Sequence, residues 1–265
     1  MKIHIHSVIY NEEVMLPYFL RHYEKFVDKI FLRIQPSTDN TLRIAKAHPK
    51  VVIVDYKTEY AGGKDYYNIM DLMEVRNNDW KNYSNSTNCD WVINVDCDEF
   101  LYHPSIINIL EGYRKRGVTI PKTLGYQMYS ETPPTTTGQI YDEIKKGFPS
   151  ILYAKKVIIH PDIDPNYSPG SHQCVPRGDV VESEFADLML LHYSKVIFGK
   201  QALIDLWLSR LARNRGRIDK KYKDLTKEEL KELQNKKINV NDFLLDGIYY
   251  LYKSMINNFS QEVVR

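Results

Sequence analysis

The feature that most limits the fold is a repeated change of hydrophobic period over the first hundred residues. Ile3 to Ile9 reads as a strand, after which Leu16, Phe19, Leu20 and Tyr23 recur at helical spacing, with Pro17 suited to a first helical turn. Lys29 to Ile34 is strand-like, Asp39 to His48 a short helix and Val51 to Tyr56 a third strand. Tyr66, Ile69, Met70, Met73, Asn77 and Trp80 again follow a helical period, and Asp90 to Val95 forms a fourth strand. Strands joined through helices pair in parallel, so this order predicts an α/β fold, a Rossmann-like, mainly parallel sheet with helices on both faces. Ligands of such open sheets bind beyond the carboxyl ends of the strands.

Beyond Pro104 the pattern loosens. A helix through Ile106, Ile107, Leu110 and Tyr113 leads to strand-like pieces at Ile120 to Tyr129, Ile151 to Ile159 and Leu188 to Tyr193. The connections ETPPTTTGQ and HPDIDPNYSPGSHQ have the proline, glycine and polar content of surface loops. From about Phe198 the chain turns helical, with Leu203, Leu206, Trp207, Arg210 and Leu211 on one helix and a capping box at Thr226 and Glu229. The expected division is a catalytic unit over 1–197 and C-terminal helices over 198–265.

Composition narrows the functional classes. A chain of 265 residues with 43% hydrophobic and 26% charged residues and a formal net charge of +2 has the profile of a soluble globular protein. Balanced charge argues against nucleic acid as a partner, the run ARNRGRIDKKYK (Arg210, Arg213, Arg215) being the one basic cluster. The three cysteines form no CxxC pair, which disfavours a disulfide framework or structural zinc and suits a cytoplasmic setting. No run approaches the roughly 20 apolar residues of a membrane span, which leaves peripheral membrane contact open.

Chemistry concentrates where the fourth strand ends, in NVDCDEF. Three acids, Asp96, Asp98 and Glu99, close an almost unbroken apolar run. If the chain stays extended, Asp96 and Asp98 point to one side and Cys97 to the other. Two converging carboxylates repel unless a cation separates them, and hard oxygen donors suit Mg²⁺ or Mn²⁺, ions that often hold a diphosphate as well. The bland alternative is a solvated acidic turn after a core strand.

These residues also carry a resemblance. SVIYNEEVMLPYFLRHYEKFVDKI, PSTDNT, VRNNDWKN, DWVINVDCDEFLYHP, NYSPGSH and LLHY occur in an order that resembles the GT-A glycosyltransferases, in particular family-2-like enzymes with YNEE and DxDEF motifs. The resemblance implies a metal-dependent transfer of a sugar from a nucleoside-diphosphate sugar to a hydroxyl of a carbohydrate or glycoconjugate, with inversion. It implies Asp98 as direct metal ligand, Asp96 near the ribose or the metal and His192 of LLHY as a further ligand. Val8, Tyr10, Asn11, Glu12, Asp39, Arg76 and Asn77 are then expected around the donor. Asn11 is also a natural helix N-cap. Gln35 and Pro36 depart from the family's usual pattern and leave the base identity open.

Inversion calls for a general base. The acids of RGDVVESEFAD are candidates, Glu184 first and Asp179 with it, beside Glu182 and Asp187, and His172 of NYSPGSH is a loop imidazole that would reach sugar or acceptor. Glu99 either assists the pocket or orients backbone. Trp80 and the pair His4 and His6 read as packing or hydrogen-bonding residues, since no third zinc ligand lies near the two histidines. Two competitors stand: a haloacid-dehalogenase-like phosphatase, which would carry its DxD near the chain start, and a catalytically silent nucleotide-sugar-binding module.

Overall fold

A computed structural model describes residues 1–55, 69–130, 132–135, 137–193 and 261–263. In chain order these form β1 (Ile3–Ile9), α1 (Leu16–Tyr23), β2 (Lys29–Ile34), α2 (Thr41–Lys46), β3 (Val51–Val54), α3 (Ile69–Asn77), β4 (Trp91–Asn94), β5 (Glu99–Tyr102), α4 (Ile106–Lys115), β6 (Thr123–Tyr129), α5 (Ile140–Glu143), β7 (Lys146–Pro149), β8 (Ile158–Ile159), β9 (Leu188–His192) and β10 (Gln261–Glu262). The expected C-terminal helices, the basic run at 210–215 and Tyr66 fall outside the described residues.

The α/β expectation holds. Four parallel strands lie in the order β3-β2-β1-β4, with the short β8 added antiparallel to β4. The chain therefore builds outward from β1 in one direction and then returns to its other side. That reversal opens a crevice at the carboxyl ends of β1 and β4, where residues after Ile9 and Asn94 emerge.

The period of two along β1 sorts its side chains cleanly. Ile3, Ile5 and Ile9 enter the main core with Leu16, Phe19 and Tyr23 of α1. His4 and His6 face the other way, where a second small core holds Trp80, Val92, Ile120, Ile159 and Ile163. Trp80 is fully buried, as its packing role predicts.

A second sheet, β10-β7-β6-β9-β5, is mostly antiparallel and was not anticipated. Its strand β5 begins at Glu99, directly after the acidic stretch. The outer edge of β5 is covered by α1: Tyr23 Oη donates to Glu99 O (2.9 Å) and accepts from Leu101 N (2.9 Å), and His22 Nε2 lies 2.9 Å from Leu101 O. An uncovered edge would leave those groups unpaired. Of the strand-like stretch at 151–159, only Ile158–Ile159 is a strand; Ile151–Tyr153 is a 3₁₀ turn laid across Gly125 of β6. A Cβ on Gly125 would stand 2.1 Å from the Tyr153 carbonyl carbon, so only glycine lets the turn sit there.

Candidate functional site

The acidic stretch is a turn rather than extended chain, which corrects the side-by-side arrangement expected of Asp96 and Asp98. Glu99 N donates to Asp96 O (3.1 Å), closing a four-residue turn, while Cys97 points into the core. Glu99 orients neighbouring backbone, as one of its two readings has it, and is also paired with a buried lysine. Its Oε2 accepts from Asp96 N (3.1 Å), and its Oε1 accepts from the buried Lys155 Nζ (2.5 Å).

Asp96 and Asp98 consequently have different partners. Asp96 Oδ1 is ion-paired with Arg76 Nη2, and its Oδ2 lies 4.0 Å from Lys155 Nζ. Burial alone would raise Asp96, but Arg76, Lys155 and the nearby His192 and His172 outweigh it and hold the carboxyl below its ordinary range. Asp98 Oδ2 faces His192 Nε2 at 3.5 Å. Burial, reinforced by Asp96 and Glu99, raises Asp98 despite the opposing pull of His192. Arg76 and Lys155 pair with Asp96 and Glu99, and Asp98 faces His192.

That donor set fits a divalent cation. Two ligands at right angles on an ion with bonds near 2.1 Å are about 3 Å apart, close to the 3.5 Å between Asp98 Oδ2 and His192 Nε2. Among the described residues no three His, Cys, Asp or Glu side chains converge as a complete metal site. An ion here would draw its remaining ligands from a substrate diphosphate and water, as is usual for Mg²⁺. Asp96, turned toward Arg76, is a weaker candidate ligand than the spacing suggested.

Around this centre the other candidates divide. Arg76, at the end of α3, is 7% exposed and also donates to Ser171 Oγ (2.7 Å). Asn77 instead grips the loop behind it, donating to Tyr167 O (3.2 Å) and accepting from Tyr167 N (2.7 Å). His172 is exposed; its Nδ1 lies 3.0 Å from Leu152 O, and it is near enough to Asp96 to lower that carboxyl. Glu184 and Asp179 are exposed on the segment before β9, which ends in His192. Asp187 accepts from Tyr113 Oη (2.7 Å), and Glu182 pairs with Lys156.

After β1 the chain is stapled to the loop after β2. Asn11 N donates to Ser37 Oγ (3.1 Å), and its side-chain oxygen accepts from Thr38 N (2.8 Å). Glu12 N donates to Thr41 Oγ1 (2.7 Å), and Asp39 accepts from Glu13 N (3.1 Å) and Thr41 N (2.9 Å). The N-cap of α1 is Met15, so Asn11 is no helix cap; it sits at φ 51°, a left-handed conformation asparagine tolerates. Val8 and Tyr10 are half-buried beside it. These loops follow β1 and β2, whose carboxyl ends lie on the same side of the sheet as the acidic turn after β4. A separate cavity of about 550 Å³, lined by His22, Phe26, Tyr102, His103 and Tyr141, lies toward the far end of β5 and contains none of the candidate residues.

Sequence reading missed Lys155, Gln127 and Tyr153. Lysine in YAKKV carries no motif, and the only hint of Gln127 is a polar residue on an otherwise core-facing strand position.

No protein-family model matches the chain, and no curated protein matches its sequence. Among solved structures it is similar to residues 1–349 of S. aureus TarS, with 14% identity and a TM-score of 0.42 over 80% of this chain and 66% of that one. It also resembles glucosyl-3-phosphoglycerate synthase from Mycobacterium tuberculosis in complex with Mn²⁺, UDP and glucosyl-3-phosphoglycerate (19% identity, TM-score 0.32, 47% of this chain and 44% of that one). A third similarity is to mannosyl-3-phosphoglycerate synthase from Rubrobacter xylanophilus (14%, 0.35, 51% and 43%). The matches cover less than two thirds of each of those chains. Likeness at these levels is partial, and the weight falls on the chemistry of the crevice. No helix among the described residues is long and apolar enough to cross a membrane.

Proposed function

We propose that the chain is a GT-A glycosyltransferase that moves a sugar from a nucleoside-diphosphate sugar to a hydroxyl of a carbohydrate or glycoconjugate, with inversion, using Mn²⁺ or Mg²⁺. The observation that supports this best is the charge arrangement at the reversal of strand order: Asp96, Asp98 and Glu99 against Arg76 and Lys155, with His192 facing Asp98. A nucleoside diphosphate with its cation would complete that balance. The bound cation would supply Lewis-acid stabilisation of the departing diphosphate. Asp98 and His192 would hold it, and Arg76 and Lys155 would keep Asp96 ionised and fixed at the crevice wall. The stapled loops carrying Tyr10, Asn11, Glu12 and Asp39 would bound the nucleoside. For the base we favour His172, whose Nε2 is the open acceptor of the neutral ring while Nδ1–H donates to Leu152 O, over Glu184 and Asp179.

A phosphatase of the haloacid-dehalogenase type would need its first aspartate free as nucleophile, whereas Asp96 is tied to Arg76. The test is calorimetry and thermal shift with UDP-, GDP- and CMP-sugars, with and without Mn²⁺. Metal-enhanced binding of one nucleotide class, lost in Asp98→Ala, is expected. No nucleotide binding in the presence of metal would sink the proposal, and metal-enhanced binding without sugar transfer or donor hydrolysis would make the chain a silent binding module.

A further inference from the structure

Across the second sheet, Glu99 of β5, His192 of β9 and Gln127 of β6 are register partners, so their side chains form one row over three adjacent strands. The Gln127 amide is oriented by its neighbours. Its Nε2 lies 3.1 Å from Met128 O and 3.2 Å from His192 O, two carbonyls that accept only, so the nitrogen must be on that side. Its Oε1 then faces His192 Nδ1 at 2.7 Å. An amide oxygen cannot donate, so Nδ1 carries the ring proton, and Nε2 of the neutral ring turns a bare lone pair toward Asp98. Tyr153 stacks on the imidazole at 3.9 Å and 16°, which fixes the plane of the ring.

We propose that Gln127 is a positioning residue: it locks His192 in the Nδ1–H tautomer and so presents Nε2, with Asp98, as a ready ligand for a divalent cation. The metal role rests on the reading of the site given above; the tautomer does not. Glutamine suits the position because glutamate would keep the acceptor for Nδ1–H but lose both donated bonds and add a fourth carboxylate to the cluster. Leucine fills similar volume and fixes no tautomer. Partners that orient a ligating histidine contribute about 10–100-fold in metal affinity.

The experiment is ¹⁵N-histidine NMR of the metal-free protein at a pH of about 8, where histidine is neutral, paired with Mn²⁺ titration by electron paramagnetic resonance in the presence of UDP. Wild-type His192 is expected as the Nδ1–H tautomer. Gln127→Leu should mix the tautomers and weaken Mn²⁺ about 10–100-fold in the folded fraction, and Gln127→Glu should restore the Nδ1–H form even where the leucine variant folds poorly. An Nε2–H tautomer in the wild type overturns the proposal, as does Mn²⁺ affinity untouched in a folded Gln127→Leu. Wild-type protein with the Nδ1–H tautomer but no Mn²⁺ binding overturns the metal-using reading of the site, and with it the metal role of Gln127.

Discussion

Two strand histidine networks, one behind the first sheet and one at the crevice, use the same kinds of bond to opposite ends. Behind β1, Arg33 Nη1 lies 3.3 Å from His6 Nδ1, His6 Nε2 lies 2.8 Å from Ser84 Oγ, and Ser84 Oγ lies 2.8 Å from His4 Nδ1. Because a guanidinium only donates, the first two steps are fixed, Arg33 to His6 Nδ1 and His6 Nε2–H to Ser84, while the Ser84 hydroxyl either donates to His4 Nδ1 or accepts from it. The network is buried, with His6 stacked on Phe31 at 4.7 Å, and both nitrogens of His6 are consumed. At the crevice, Gln127 occupies one nitrogen of His192 and the other faces an acid crowded by like charges. The first arrangement is complete without a ligand; the second is not. Histidine count or spacing does not distinguish them, but whether the proton chain closes does.

The largest expected effect breaks the open network. Asp98→Asn should lower sugar transfer about 1000-fold, the several kcal/mol that a lost metal contact represents. The same change should leave the melting temperature equal or higher, because it removes a carboxylate that burial and its neighbours Asp96 and Glu99 disfavour. A fall in both activity and melting temperature would put Asp98 in the structural class with His6. Next in size is Gly125→Ala. With backbone atoms of residues 153 and 154 at 2.1 and 2.2 Å from the new Cβ, the turn must shift, at a cost of about 3 kcal/mol in urea unfolding. Nucleotide binding should weaken as well, since that turn carries Tyr153 and leads into Lys155. Wild-type melting would mean that the turn does not pack on β6 as described.

How much of this was readable in the sequence follows from the range of the interactions. The parallel strands were legible because each carries its own apolar run and its own helix, so local period sufficed for β1 through β4. Asp96, Asp98 and His192 were picked out through motif order, and the structure places Asp98 opposite His192. The second sheet was not, because β5 starts inside the acidic motif and β7, KGFP, has no strand-like alternation; pairing with β6 and β10 makes it a strand. The split of the acids between Arg76 and His192 was hidden because it depends on a tight turn where period two predicts extension. Gln127 reaches the site through strand register and Lys155 from the irregular segment between the 151–153 turn and β8, neither of which a single sequence displays.

The closed network should show itself in stability alone. His6→Leu strands a guanidinium donor and the Ser84 hydroxyl in the interior, for about 2–3 kcal/mol of lost stability, with nucleotide affinity per folded molecule unchanged. Reduced affinity in the folded fraction would mean that the two networks are coupled. Acid provides the smallest effect and the finest test. Burial, with Arg33 and His4 beside it, holds His6 well below the ordinary histidine range, and burial holds His22 at about 4 despite its bond to Leu101 O. A histidine depressed in the folded state binds its proton more readily when unfolded. Its stability contribution is thus complete above the unfolded value of about 6.5 and is lost as pH falls toward the folded value. Between pH 7 and 5, His22 alone should account for a drop of about 2 kcal/mol in urea unfolding. His22→Phe should flatten that slope relative to wild type. A wild-type profile flat from pH 7 to 5 would show that the buried imidazoles accept protons in the fold, contrary to the closed proton chain behind β1 and the sealed edge of β5.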